Sequence, residues 1–190
     1  MKVIAGIAGG LPLLTPRTEL RPTMDLVKGA IFSSLGDLIV DARVLDLFAG
    51  SGSLGIEALS RGASHATFVE NDSRAFATIE KNLQRTHLAS PAARLWSMDV
   101  FRFLDRLAAP ASFDLIFADP PYAKSPGERD FTPELLCSSA LQNALSPNGI
   151  FILEHLPGAK LKLTDAWDCF RQKRYGGTEV ALLRRLPATT

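Results

Sequence analysis

The chain has 190 residues, 46% of them hydrophobic and 22% charged, with a formal net charge of +1. That length fits one domain of roughly 100–200 residues, and the composition excludes both a disordered chain and a coiled coil. No apolar run approaches the roughly 20 residues that span a bilayer, and the opening MKVIAGIAGGLPLLTP is a poor secretory signal, so a cytoplasmic protein with no membrane contact is expected.

Residues 1–36 read as a Pro-punctuated lead-in and a helix that Thr23 can cap, with Met24, Val27, Ile31 and Leu35 at helical spacing. From residue 43 to the end, short apolar runs alternate with helix-period segments, which signals βαβ units and a mainly parallel sheet. The predicted strands are 43–48, 65–70, 93–98, 113–119 and 149–154, several of them apolar on both faces as buried parallel strands must be. Between them a helix runs from about Ser53 to Arg61 with Gly62 at C′. A second starts at Asp72 with Phe76, Ile79 and Leu83 on one stripe, and Asp99 caps a third. A fourth opens with Thr132 as cap and Pro133 at the first helical position, and continues until Ser146–Gly149 stops it. Gly176-Gly177 between 167–175 and 178–186 is a two-residue hairpin signal, so the sheet ends antiparallel. The organisation expected is a lead-in and helix over 1–36, packed on a core over 37–190, one structural domain overall.

Charge is uneven along the chain. Residues 1–36 hold four Lys/Arg against two acids, 37–159 ten against fifteen, and 160–190 seven against three. Basic ends suit a polyanion, although solvated termini give the same pattern. Cys137 and Cys169 lack disulfide or zinc spacing and read as packed thiols; Trp96 and Trp167 read as core. His65, His87 and His155 have no metal-ligand spacing, and no metal is expected.

The loop from Asp46 to Gly55 joins the first strand to its helix, and Gly50, Gly52 and Gly55 satisfy G-x-G-x-x-G. Glu70 closes the next strand 20 residues beyond Gly50, a spacing that also suits a dinucleotide, its carboxylate accepting from ribose hydroxyls. Two features favour a different ligand. Asp46 precedes the glycines, and the loop carries no Lys or Arg, so the site suits a cation such as S-adenosylmethionine, whose amino group and sulfonium are positive. Asp46 as a merely solvated strand-end acid is the plainer alternative. Asp119-Pro120-Pro121-Tyr122 then sits at the carboxyl end of the fourth strand, where open α/β sheets place their ligands. Neither proline donates, so the Pro120 carbonyl and Asp119 carboxylate form an acceptor-only pair beside an aromatic face. That pair suits the amino group of a planar base, with Tyr122 stacking on the ring.

Asp46–Gly52, Glu70, Asp99 and Asp119–Tyr122 together resemble the motifs of S-adenosylmethionine-dependent amino-methyltransferases. Arg21-Pro22-Thr23, Val27-Lys28, Ile31-Phe32 and the run from Asp46 to Gly62 narrow this to a resemblance to the RsmD family, over roughly residues 17–155 with a looser echo at 173–178. The resemblance implies a Rossmann-like methyltransferase fold, a seven-stranded mostly parallel sheet ending in an antiparallel hairpin, helices on both faces. It implies methylation of guanine N2, at the guanine usually numbered 966 of 16S rRNA, within an assembled or assembling small ribosomal subunit, by a monomer. It places the catalytic contacts at Asp119, Pro120 and Tyr122. Donor contacts fall to Thr23, Asp46, Phe48, Gly50, Gly52, Glu70, Asn71, Asp99 and Val100. Lys173, Arg174 and Arg184 of the hairpin are the candidate phosphate contacts, a solvated hairpin being the alternative. Phe101 lines the adenine pocket or packs in the core. Unlike relatives, the chain has no Lys or Arg between Gly9-Gly10 and Arg17, which weakens any RNA grip there. Rival readings are a DNA adenine or cytosine amino-methyltransferase, for which 190 residues leave little room for a target-recognition domain, a protein-glutamine methyltransferase, a nicotinamide-dependent dehydrogenase sharing the glycine loop, and a non-catalytic ribosome-assembly factor on the same fold.

Overall fold

The computed structural model describes residues 1–15, 24–123, 125 and 127–187. Thr23, with Arg21 and Pro22, lies outside the described residues. Seven strands form one sheet: β1 Arg43–Leu47, β2 His65–Glu70, β3 Ala93–Ser97, β4 Phe113–Ala118, β5 Leu145–His155, β6 Trp167–Tyr175 and β7 Thr178–Arg185. Their order is β3-β2-β1-β4-β5-β7-β6, with β1 to β5 parallel and β7 antiparallel to both neighbours. The helices are α1 Met24–Leu35, α2 Ser53–Ser60, α3 Ser73–Arg85, α4 Val100–Arg106, α5 Phe131–Cys137 and α6 Ser139–Ala144.

Central strands are buried on both faces because helices cover both. Val44, Phe68, Phe117, Ile152 and Val180 face α1, α2 and α3, whereas Leu45, Val69, Ile116, Leu153 and Leu183 face α4, α5 and α6. The edge strand β3 is only half covered, which leaves Trp96 40% exposed against Phe103 and not in the core, while Trp167 is buried. Cys137 is exposed and Cys169 half-buried, so only the second is packed. The expected cap holds at α4, where Asp99 accepts from the Arg102 amide, while Asp72, expected as the start of the second helix, is the cap of α3 and accepts from the Arg74 and Ala75 amides. Gly62 ends α2 with φ +99°.

Two expectations need correcting. Asp130, not Thr132, caps α5, accepting from the Thr132 amide, so Pro133 stands at the third helical position and not the first, within the first turn where a missing N–H is harmless. That helix then breaks at Ser138, whose backbone is extended and whose hydroxyl accepts from the Leu141 amide to start α6. β5 begins at Leu145, not Gly149. Its first residues pair with Phe113 across a register shift, which lets Ser146-Pro147-Asn148 enter the strand.

The lead-in is fastened to the core by side chains that reach over from α2 and α3. The fully buried Glu57 carboxylate accepts from the amides of Ile4 and Ala5 (2.6 and 3.0 Å) and from Arg61 Nε (2.7 Å), with Lys28 Nζ at 3.5 Å. Lys28 is buried too, which lowers its pKa against the pull of Glu57, and it donates to the Lys2 carbonyl. Asn82 exchanges hydrogen bonds with Leu14 and donates to the Ser51 carbonyl, joining lead-in, α3 and glycine loop. Gly6 (φ +83°) passes so close to α2 that a Cβ there would lie 1.8 Å from the Ser60 carbonyl oxygen. Removing the carboxylate from this knot strands a buried ammonium and two amides. Glu57→Ala is therefore expected to cost about 3–5 kcal/mol, measured by urea denaturation.

Candidate functional site

At the carboxyl ends of β1, β2 and β4 opens a cavity of about 850 Å³. Phe48, Gly50, Glu70, Asn71, Asp99, Val100, Asp119 and Pro120 all line it, so eight residues singled out from sequence are brought together. The backbone turns sharply out of β1 to make room, with Phe48 at φ +57°, a conformation a bulky residue adopts only under constraint, and Gly50 at +56°. Glu70 holds that turn: its two oxygens accept from the amides of Gly50 and Asp72, each at 2.8 Å. Gly52 lies behind the wall, where a Cβ would meet Ile79 at 3.0 Å; at Gly55 a Cβ would meet the Phe68 ring at 2.3 Å. These glycines serve the close packing of α2 and α3 on the sheet.

Asp46 does not line the cavity. It is 2% exposed and accepts from the Gly55 amide at 2.9 Å. Burial pushes its pKa up to about 8, the charges of Asp119 and Glu70 adding to the rise and the Gly55 amide opposing it. Between the usual carboxylate range and about pH 8 the native state thus holds a proton that the unfolded chain has released. This group makes stability fall as pH rises through that window, by at most about 1.4 kcal/mol per unit. Asp46→Asn, which keeps an acceptor for Gly55, is expected to flatten that slope, read from urea midpoints at pH 5 and pH 8.

Tyr122 is also turned away from the cavity, its hydroxyl 2.6 Å from Thr178 Oγ1 and its ring lining a separate hollow of about 220 Å³ with His155 and Leu156. Phe101 stacks on Phe131 (ring centroids 6.3 Å apart, 13° between planes), and it is Phe131 that reaches the cavity. Thr178, Glu154, Lys28 and Arg74 line the cavity without having been foreseen as site residues. Thr178 had a signal in its place beside the hairpin glycines, Glu154 in ending a strand next to Asp119.

In the hairpin, a bulge between Cys169 and Arg171 fixes which side each base takes. Lys173 pairs with Val180, and Arg184 follows Val180 and Leu182 on that face, the side of the sheet covered by α1. Arg174, opposite Glu179, points to the other. The three candidate phosphate contacts are therefore split between two faces. Arg184 stacks on Phe170, with its guanidinium carbon 4.0 Å from the ring centroid. Among the described residues no group of His, Cys, Asp and Glu could hold a metal, and no helix is long and apolar enough to cross a membrane.

The donor set tests the ligand. Glu70, Asp99 and Asp119 make this edge acidic, and the glycine-loop amide at the cavity, that of Gly50, is bound to a carboxylate. A pyrophosphate would meet repulsion here, whereas a sulfonium and an ammonium would be attracted. With its parallel sheet and antiparallel last strand, the structure is that of an S-adenosylmethionine-dependent methyltransferase. The family model described as "Conserved hypothetical protein 95" matches residues 1–184, and the chain belongs to that family, the RsmD family. It is 36% identical over 177 residues to the ribosomal RNA small subunit methyltransferase D of Haemophilus influenzae, covering 93% of this chain and 89% of that protein. It is 37% identical over 189 residues to the putative rRNA methyltransferase YlbH of Bacillus subtilis, covering 97% and 99%. The solved structure of the putative methyltransferase yhhF from Escherichia coli superposes with a TM-score of 0.81 at 30% identity, over 97% of each chain.

Proposed function

We propose that the chain methylates the N2 amino group of a guanine in 16S rRNA, guanine 966 by family resemblance, within the small ribosomal subunit in the cytoplasm, and that it acts as a monomer. The observation that carries this reading is the placement of the Asp119–Pro120 acceptor pair on the wall of the acidic cavity at one sheet edge. When bound there, S-adenosylmethionine supplies a methyl group activated by its sulfonium. Glu70 and Asn71 at the end of β2 fit its ribose, and Asp99 and Val100 at the start of α4 fit its adenine. The glycine turn fits its methionine end, with Asp46 supporting that turn from behind through Gly55.

An exocyclic amine conjugated to its ring is a poor nucleophile. Asp119 and the Pro120 carbonyl accept its two N–H groups, which fixes the amine's orientation and directs the nitrogen lone pair toward the methyl carbon. Such positioning supplies up to about 7–11 kcal/mol in favourable systems. Tyr122 contributes by anchoring the loop through Thr178, not by stacking in the cavity.

A net charge of +1 gives little nonspecific hold on naked RNA, because phosphate contacts through Lys and Arg supply most of that affinity. Protein-free 16S rRNA is therefore expected to be methylated at least about tenfold less efficiently than a small-subunit particle. Neutralising Lys173, Arg174 and Arg184 together should raise KM for the particle and flatten its salt dependence without changing donor affinity. The functional reading itself is tested by mapping N2-methylguanine in rRNA from cells lacking the gene. Full modification of that guanine in such cells would overturn it.

A further inference from the structure

Two carboxylates of the cavity have no part in the reaction so far: Asp72, which caps α3, and Glu154. As the penultimate residue of β5, Glu154 comes beside Asp119, because Ala118 of β4 pairs with Leu153 in parallel register, and it faces the α1 side of the sheet with its β7 partner Val180. Both acids line the same cavity as Pro120. A chain of hydroxyls holds Glu154 in place. Thr178 Oγ1 lies 3.4 Å from Glu154 Oε2 and 2.6 Å from the Tyr122 hydroxyl, with the His155 carbonyl at 3.4 Å as a further acceptor.

We propose that Glu154 is the guanine-selecting residue, its carboxylate accepting the N1–H while Asp119 and Pro120 accept the neighbouring N2 amine; this rests on the reading of the site as a guanine N2 methyltransferase. The base-pairing edge of guanine offers two adjacent donor groups, N1–H and the N2 amine. Adenine and cytosine each present an amine beside a ring nitrogen that is an acceptor, so their lone pair would meet the Glu154 carboxylate. Uracil has no amine to methylate. A wall of acceptors alone thus fits one base of the four, and it rejects the others by leaving buried acceptors facing each other. Thr178 and Tyr122 are positioning residues: with the Tyr122 hydroxyl as donor to Thr178, the Thr178 proton is available to Glu154.

The test compares guanine with 2,6-diaminopurine at the target position of assembled small-subunit particles. Diaminopurine keeps the N2 amine but turns N1 into an acceptor. The wild-type enzyme is expected to favour guanine in kcat/KM by about 10- to 100-fold, the range spanned by a hydrogen bond to a charged group. Glu154→Gln places an amide N–H where the carboxylate accepted, so the preference should fall to within about threefold of unity. S-adenosylhomocysteine affinity by calorimetry should stay within about twofold. Thr178→Val, which keeps Glu154 but removes its donor, should reduce the preference severalfold with the same donor affinity, and it decides the matter if Glu154→Gln does not fold. A preference unchanged in the folded variants overturns the assignment of Glu154 while leaving the methyltransferase reading intact. No methyl transfer to guanine particles by the wild-type enzyme overturns both.

Discussion

Asp119→Ala is expected to lower turnover by about 10³-fold or more, while the affinity for S-adenosylhomocysteine stays within a few-fold of wild type. Asp119 directly follows β4, the strand that pairs with β1, and its neighbours in the cavity are Pro120 and Glu154 on the base side, away from the Asp72 and Asp99 helix starts. Its loss removes one of the two acceptors that orient the amine, and orientation is where most of the available rate acceleration resides. The donor half has its own carboxylates. Deleting Asp119 also withdraws one of the charges that hold Asp46 protonated, which eases ionisation behind the glycine turn and does not disfavour a cation. Asp119→Asn should fall between the two, because the amide keeps one acceptor oxygen but presents N–H donors to an amine that has only donors to offer. Single-turnover rates with particles, alongside calorimetry, check the division of roles. A collapse of donor affinity in a folded Asp119→Ala protein would assign Asp119 to the donor.

Much of this site was legible because its residues sit at strand ends that burial makes conspicuous. Val44, Leu45, Leu47 and the run Leu115–Ala118 are apolar and buried on both faces, so Asp119, which follows that run, marks the ligand edge of the sheet. Asp99 was legible as a cap for the same local reason, since a carboxylate ahead of a helical stripe satisfies orphan amides whatever packs nearby. Contacts made over long sequence separations were not legible. Nothing local marks Glu57 within the helix expected over Ser53–Arg61, yet it holds the lead-in 52 and 53 residues away. Tyr122 reads as a stacking ring, but the hairpin returns Thr178 to its hydroxyl 56 residues later and turns it out of the cavity. The Ser-Pro-Asn-Gly stretch carries every local signal of a turn, and only pairing to Phe113 draws its first residues into β5. Fold class follows from local periodicity; the division of labour within the site follows from tertiary hydrogen bonds.

Glu70→Ala shows how far those bonds alter an expectation. From its spacing the carboxylate is a ribose acceptor, and two hydrogen bonds to a charged group would be worth about 1.5–3 kcal/mol each. In the structure both oxygens already accept backbone amides, from Gly50 and Asp72, while the side chain still lines the cavity. Each carboxylate oxygen has a second lone pair, so binding ribose and holding the glycine turn are compatible. On the proposed reading the substitution removes the ribose contacts and also releases the turn that shapes the methionine end, and the two losses add. Donor affinity is expected to fall by about 100-fold or more, with a stability cost of about 1–3 kcal/mol from the two freed amides. Glu70→Gln separates the effects. Its amide nitrogen must face either the Gly50 amide or the Asp72 amide, so the turn is disturbed although one acceptor remains, and donor affinity should still drop at least about tenfold. Calorimetry with S-adenosylhomocysteine and urea denaturation read the two quantities independently. Donor affinity unchanged in a folded Glu70→Ala protein would remove the carboxylate from the ribose site and leave it the turn alone.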